Sequence, residues 1–139
     1  EVSLMHIPIE SKSIRLTVDV SDDLCANADR NMVATVLRNL LTNAIKFSHP
    51  EGRIAISARQ DGAWITVSVA DDGVGMSADK LRTLFDAGRE QSTRGTRGET
   101  GSGLGLVVCK HFVERNGGRL TAHSEESRGT TFHFTLKAK

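Results

Sequence analysis

Residues 53–76 read RIAISARQDGAWITVSVADDGVGM, and the fold turns on how that run is parsed. Arg53 to Gln60 and Trp64 to Ala70 each alternate apolar and polar residues, the period of a strand with one face buried. Between them lies Asp61-Gly62, a two-residue turn whose glycine accepts positive φ, so the two runs pair as an antiparallel hairpin. The second strand then stops at two carboxylates followed by glycines. Period two puts Asp71 on the face of Ile65, Val67 and Val69, the face a helical layer covers, and turns Asp72 the other way. A carboxylate on a covered face needs hydrogen-bond donors.

Working outward, residues 29–47 change period. Met32/Val33, Val36/Leu37, Leu40/Leu41 and Ala44/Ile45 recur every four positions, which predicts a long amphipathic helix. Asp29 is placed to cap it, and Ser48, His49, Pro50 and Gly52 end it. Arg15 to Val20 alternates with Leu16, Val18 and Val20 on one side, predicting a half-buried first strand. Glu1 to Ser13 has no clean period and contains Pro8, consistent with a short helix or a connecting segment. A short helix capped by Ser77 is expected to run to about Phe85. Asp86 to Ser102, rich in Gly, Thr, Arg and Glu, reads as a long loop, of the length that usually serves binding. A second long helix is expected from Leu104 to Arg115, ending on Asn116-Gly117-Gly118, with strands near Leu120 to His123 and Thr130 to Leu136. Hairpins alternate with helices without a regular βαβ rhythm. The expected class is therefore α+β: a two-layer sandwich with helices on one face of a mixed, mostly antiparallel sheet.

Composition narrows the functional classes. At 139 residues the chain is expected to be one domain over residues 1–139. Its 38% hydrophobic and 25% charged residues belong to the ordinary globular range, and no apolar run approaches the roughly 18 residues of a membrane helix. A net charge of +1 gives no reason to expect a nucleic-acid partner or direct contact with an anionic membrane. Cys25 and Cys109 lack metal-ligand spacing and read as reduced thiols packed as small hydrophobes. Glu1 to His6 lacks the pattern of a signal peptide, so a cytoplasmic location is expected for the chain, or for a larger parent that includes it, whether or not that parent is membrane-anchored.

Three groups of residues carry chemistry. On the long helix, rotation of about 100° per residue places Asn39, Asn43 and Lys46 in one narrow arc opposite the apolar stripe. Singly each is an ordinary solvated residue; together, amide oxygens suit Mg²⁺ and an ammonium suits phosphate. Asp71 would accept from an amino group on a flat ligand, and Gly73 and Gly75 would let backbone approach that ligand without a Cβ between. Gly101-Ser102-Gly103-Leu104-Gly105-Leu106 opens the second helix with exposed amides, an arrangement that attracts phosphate. It is neither a Walker loop nor the dinucleotide GxGxxG. Thr130 shares the core face of the last strand with Phe132, Phe134 and Leu136, and its hydroxyl wants a partner.

In order and spacing these motifs resemble the ATP-binding domain of bacterial sensor histidine kinases, within the Bergerat-fold ATPases. Residues 37–48 resemble that family's N box and residues 71–76 its first glycine box. Residues 101–106 and Gly129-Thr130 resemble the second and third, and Gly117-Gly118 closes the second helix as in the family. The resemblance implies an ATP site assembled from Asn39, Asn43, Lys46 and Phe47, from Asp71, Gly73, Gly75 and Met76, and from Gly101, Gly103, Leu104, Gly105, Leu106 and Thr130. It implies that Asn43 ligates Mg²⁺, that Asn39 and Lys46 lie near the phosphates, that Asp71 binds the adenine amino group and that Thr130 supports it. Arg94 and Arg97, in the lid, would approach the γ-phosphate.

The chain departs from the family in two places. Of the two phenylalanines frequent before the lid, 84–88 keeps only Phe85. The family's phosphoacceptor is a His followed by an acidic residue, whereas the five histidines here precede Ile7, Pro50, Phe112, Ser124 and Phe134. No catalytic residue is therefore assigned within the chain. The implied function is Mg-ATP binding and donation of the γ-phosphate to a histidine on a separate dimerisation domain of the same kinase, with a response regulator downstream. Two other readings stay open. One is an ATP hydrolase like gyrase or the mismatch-repair ATPases, in which a Glu base stands where this chain has Asn39. The other is a nucleotide-sensing module without transfer.

Overall fold

A computed structural model describes residues 13–21, 23–85 and 105–139. The expected loop at Asp86 to Ser102, with Arg94 and Arg97, lies outside the described residues, as do Gly101, Gly103, Leu104 and the start of the chain through residue 12.

Five strands form one sheet in the order β1-β2-β3-β5-β4. They are β1 (Arg15–Asp19), β2 (Arg53–Asp61), β3 (Trp64–Asp71), β4 (Leu120–Glu125) and β5 (Gly129–Lys137). β1 pairs parallel with β2 and the remaining pairs are antiparallel, which makes the sheet mixed. The hairpin is as the alternation predicts: β2 and β3 meet around Gly62, whose φ is +61°. In the register of β3 with β5, Asp71 faces Thr130. That single pairing brings together the first and third glycine-bearing motifs, which are far apart in the sequence.

The long helix α1 (Arg30–Phe47) is capped as expected, the Asp29 side chain accepting from the Met32 N–H at 3.0 Å. At its other end Ser48 is fully buried and donates its hydroxyl to the Ala44 carbonyl at 2.7 Å. α1 packs against β3 and against α3 (Gly105–Arg115). The apolar stripe Val36, Leu40, Leu41 and Ala44 is buried there with Val69, Cys109, Phe132 and Phe134. Burying a side chain of this size contributes roughly 1.5–3 kcal/mol, so this seam holds the two layers together. A short helix, α2 (Ala78–Arg82), starts at Ser77, whose hydroxyl accepts from the Lys80 N–H at 3.2 Å. It is shorter than expected, giving way to turns through Phe85, and the Phe85 ring lies edge-on to Phe132 at 6.5 Å.

Two expectations need correction. Val18 is 56% and Val20 44% exposed, so the alternation of the first strand does not mark a buried face. β1 is a sheet edge, paired on one side only, and the buried anchor beside it is Ile14. Of the two cysteines only Cys109 is packed as a small hydrophobe; its Sγ lies 3.7 Å from the Val36 carbonyl, and burial pushes its thiol up to about 12. Cys25 is exposed, because it lies in the irregular segment between β1 and α1 rather than on an element with a covered face.

Candidate functional site

Where β3 ends, Asp71 and Asp72 part company as period two requires. Asp72 is exposed and its Oδ1 accepts the Arg53 N–H at 2.9 Å, tying off the edge of the hairpin. Asp71 lies half-buried on the helix side. Its Oδ1 accepts the Gly73 N–H at 2.9 Å. Burial pushes its carboxyl up to about 6, against the pull of backbone hydrogen bonds from Gly73 and Thr130 and with a small further push from the charge of Asp72. A carboxylate so poorly solvated gains from any ligand that brings it a donor.

Next to Asp71 lies a hydroxyl pair of which the sequence reasoning marked only one member. Thr130 is buried, and its Oγ1 lies 2.8 Å from Ser124 Oγ. Ser124 Oγ also accepts the Met76 N–H at 2.8 Å and lies 3.0 Å from the Gly129 carbonyl. It thus pins the loop after β3 to the β4-β5 hairpin. Thr130 was singled out from the alternation of β5; Ser124 carried the same signal, standing with Leu120 and Ala122 on the core-facing positions of β4.

The glycines prove necessary for a different reason from the one their motif suggests. A Cβ on Gly73 would lie 2.1 Å from the Phe47 carbonyl, and on Gly75, at φ +68°, 1.9 Å from the Glu125 carbonyl. Protein, rather than ligand, fills the space beside each. The end of α1 and this loop are in fact sewn together, Val74 donating its N–H to the Phe47 carbonyl at 3.1 Å.

Asn43 and Phe47 from α1 face this floor across a pocket lined also by Asp71, Gly75, Met76 and Thr130. The same pocket is lined by Lys80 of α2, which the sequence reading passed over as part of a short surface helix. Lys46 does not line it; its Nζ lies 5.0 Å from the centroid of the Phe47 ring. Asn39 is engaged elsewhere, its Nδ2 donating to the Thr35 carbonyl at 2.9 Å and its side chain packed against Gly105 at the start of α3. Leu106 packs at the margin of the core. Of the expected site residues, then, the structure gathers Asn43, Phe47, Asp71, Gly75, Met76 and Thr130 around one cavity, keeps Gly73 immediately behind it and sets Asn39, Lys46, Gly105 and Leu106 to its sides. Among the described residues no three His, Cys, Asp or Glu side chains cluster as a metal site.

Residues 28–139 match the family model described as histidine kinase-, DNA gyrase B- and HSP90-like ATPase. The adaptive-response sensory kinase SasA of Prochlorococcus marinus (strain MIT 9215) is 35% identical over 127 residues, covering 90% of this chain and 34% of the kinase. The chain spans about a third of the length of the sensor kinases of that name that it matches. Among solved structures, the catalytic domain of the histidine kinase ThkA superposes with a TM-score of 0.83 at 26% identity, covering 97% of this chain and 87% of that one. Full-length ShkA, crystallised in complex with AMPPNP, gives 0.82 at 28% identity over 99% of this chain and 28% of its own.

Proposed function

The chain belongs to the family of histidine kinase-, DNA gyrase B- and HSP90-like ATPases, as a catalytic domain of the sensor histidine kinase kind, and we propose that it binds Mg-ATP between α1 and the end of β3 and donates the γ-phosphate to a histidine outside this chain. The observation that carries this reading is Asp71, a half-buried carboxylate pushed up to about 6 on the floor of a pocket that Asn43 lines from the helical wall.

Each residue then has a task. Asp71 accepts a hydrogen bond from the adenine amino group, while the Ser124–Thr130 pair fixes the backbone around it. The Asn43 amide oxygen is a hard donor suited to Mg²⁺, which commonly takes one or two protein ligands and completes its shell with phosphate oxygens and water. Bound there, the cation would neutralise phosphate charge. Lys46 and Asn39 would lie near the phosphates, and Arg94 and Arg97 would approach the γ-phosphate. Transfer requires an imidazole nitrogen to form a bond to the γ-phosphorus as the bond to the β–γ bridging oxygen breaks and ADP leaves. The protein's contribution is positioning and charge neutralisation. The acceptor is a histidine on a dimerisation domain of the same kinase, a response regulator takes the phosphoryl group afterwards, and the work is done in the cytoplasm.

The hydrolase reading is disfavoured by Asn39. An amide cannot take a proton from water, and this one already donates to Thr35 within its own helix. Incubation with γ-labelled ATP tests the choice. The chain alone should bind nucleotide without acquiring label, and adding a dimerisation segment with its acceptor histidine should yield acid-labile label on that segment. Steady ATP turnover by the chain alone, abolished in Asn39→Ala, would establish the hydrolase instead. Binding with no transfer to any acceptor segment would leave a sensing module.

A further inference from the structure

Lys80 occupies the first turn of α2, its backbone N–H held by Ser77 and its side chain lining the same pocket as Asp71 and Asn43. Its Nζ lies 5.1 Å from the centroid of the Phe47 ring. The Nζ of Lys46 lies 5.0 Å from that same centroid. Two ammonium groups within about 10 Å of each other therefore share one aromatic ring, a spacing comparable to the Debye length of roughly 8–10 Å at physiological salt, so each feels the other. A cation–π contact offsets part of their desolvation and cancels none of their charge.

The acidic groups nearby do not neutralise Lys80. Among the described residues it makes no ion pair: Asp79, on the same short helix, pairs with Arg82, and Asp72 is tied to the Arg53 backbone. Asp71 shares the pocket, yet its carboxyl is pushed up by burial, with no lowering from a neighbouring ammonium. The pocket thus holds a carboxylate whose charge is disfavoured and, in Lys80, an ammonium with no ion pair among the described residues. A ligand complementary to both has a hydrogen-bond donor at one end and several negative charges at the other.

We infer that Lys80 is a further nucleotide-contacting residue, gripping the polyphosphate of the bound nucleotide beside the Phe47 ring. This rests on the reading of the pocket as a nucleotide site, and it adds a specificity element supplied by α2 that the helix-face residues do not include. Lys80 selects for nucleoside di- and triphosphates over the free nucleoside, because an ammonium gains only where phosphate oxygens reach it.

Calorimetric titration of the chain and of its Lys80→Gln and Lys80→Arg variants with ATP, ADP and adenosine tests this. The Gln variant should lose about tenfold in affinity for ATP and ADP, with a shallower dependence on salt. Adenosine affinity should stay within about twofold, and the Arg variant should recover most of the loss. Thermal unfolding without nucleotide checks that both variants fold as the parent does. A parent chain that binds no ATP would sink the functional reading itself. A parent that binds ATP, with a Gln variant that binds it equally well or loses adenosine to the same degree, would overturn the role of Lys80 alone.

Discussion

The two sides of the pocket are built on different principles. Its floor, where β3 and β5 meet, is locked: Asp71, Gly73, Ser124, Gly129 and Thr130 are joined by backbone and hydroxyl hydrogen bonds, and the glycines leave no room for a Cβ. Its helical wall is looser. Asn43, Phe47 and Lys80 are half-buried, and Lys80 lies beside an aromatic face and makes no ion pair among the described residues. A rigid floor can read the shape and donors of a flat base. A long lysine side chain and an amide can follow phosphates through a reaction whose charge distribution changes. The site divides its labour accordingly, with recognition pre-formed by the sheet and charge handling left to side chains with freedom to move.

Breaking the floor should cost the fold. Gly129 has φ +109°, and a Cβ there would lie 2.1 Å from the Asp71 carbonyl, backbone that cannot yield without dismantling the β3-β5 register. Gly129→Ala should destabilise by roughly 3–5 kcal/mol, lowering Tm by about 10 °C or more in thermal unfolding. A shift of only a degree or two would mean that the floor is as adaptable as the wall.

Asp71 sharpens the comparison through pH. Its folded-state carboxyl titrates near 6 against 3.8 for the unfolded chain, so the folded state holds the proton more tightly. Below about pH 4 both states are protonated and there is no penalty; as pH rises through 6 the ionised form must be buried and stability falls. Asp71→Asn removes that titration. Without nucleotide, the stability of the variant relative to the parent should grow between pH 4 and 7 by on the order of 1–3 kcal/mol in urea unfolding. A difference that does not change with pH would show the carboxylate to be compensated within the protein.

The wall should answer differently. Asn43→Ala is expected to leave Tm within a few degrees, to lower Mg-dependent ATP affinity about tenfold, and to leave adenosine binding nearly intact. Comparable losses for adenosine and ATP would make Asn43 structural and return it to the floor.

Much of this was legible in the sequence, and the limits follow from range. Period two in residues 64–71 separates Asp71 from Asp72, and the four-residue repeat of 29–47 places Asn43 opposite the core, because both are local properties of one element. Ser124 carries a comparable local signal, a hydroxyl on a core-facing strand position, yet its importance lies in joining Met76, 48 residues away, to Gly129, which no period reveals. Lys80 is five residues from Gly75 and offers nothing in pattern; only the docking of α2 beside Phe47 turns it into the pocket. The exposure of Val18 and Val20 has the same origin, since alternation marks a face without saying whether a helix covers it. A glycine motif states that space is needed without stating who occupies it, and at Gly73 and Gly75 the Phe47 and Glu125 carbonyls stand where a Cβ would go.

Recognition of the base depends most on one carboxylate, Asp71. Titration of the chain with Mg-ATP, alongside Asp71→Asn and Asp72→Asn, tests this directly. Asp71→Asn should lose about two orders of magnitude in affinity, because its amide can present a donor where an acceptor is required. Asp72→Asn should stay within about twofold, since an amide oxygen can still accept from the Arg53 N–H. Equal losses in the two variants would contradict the account.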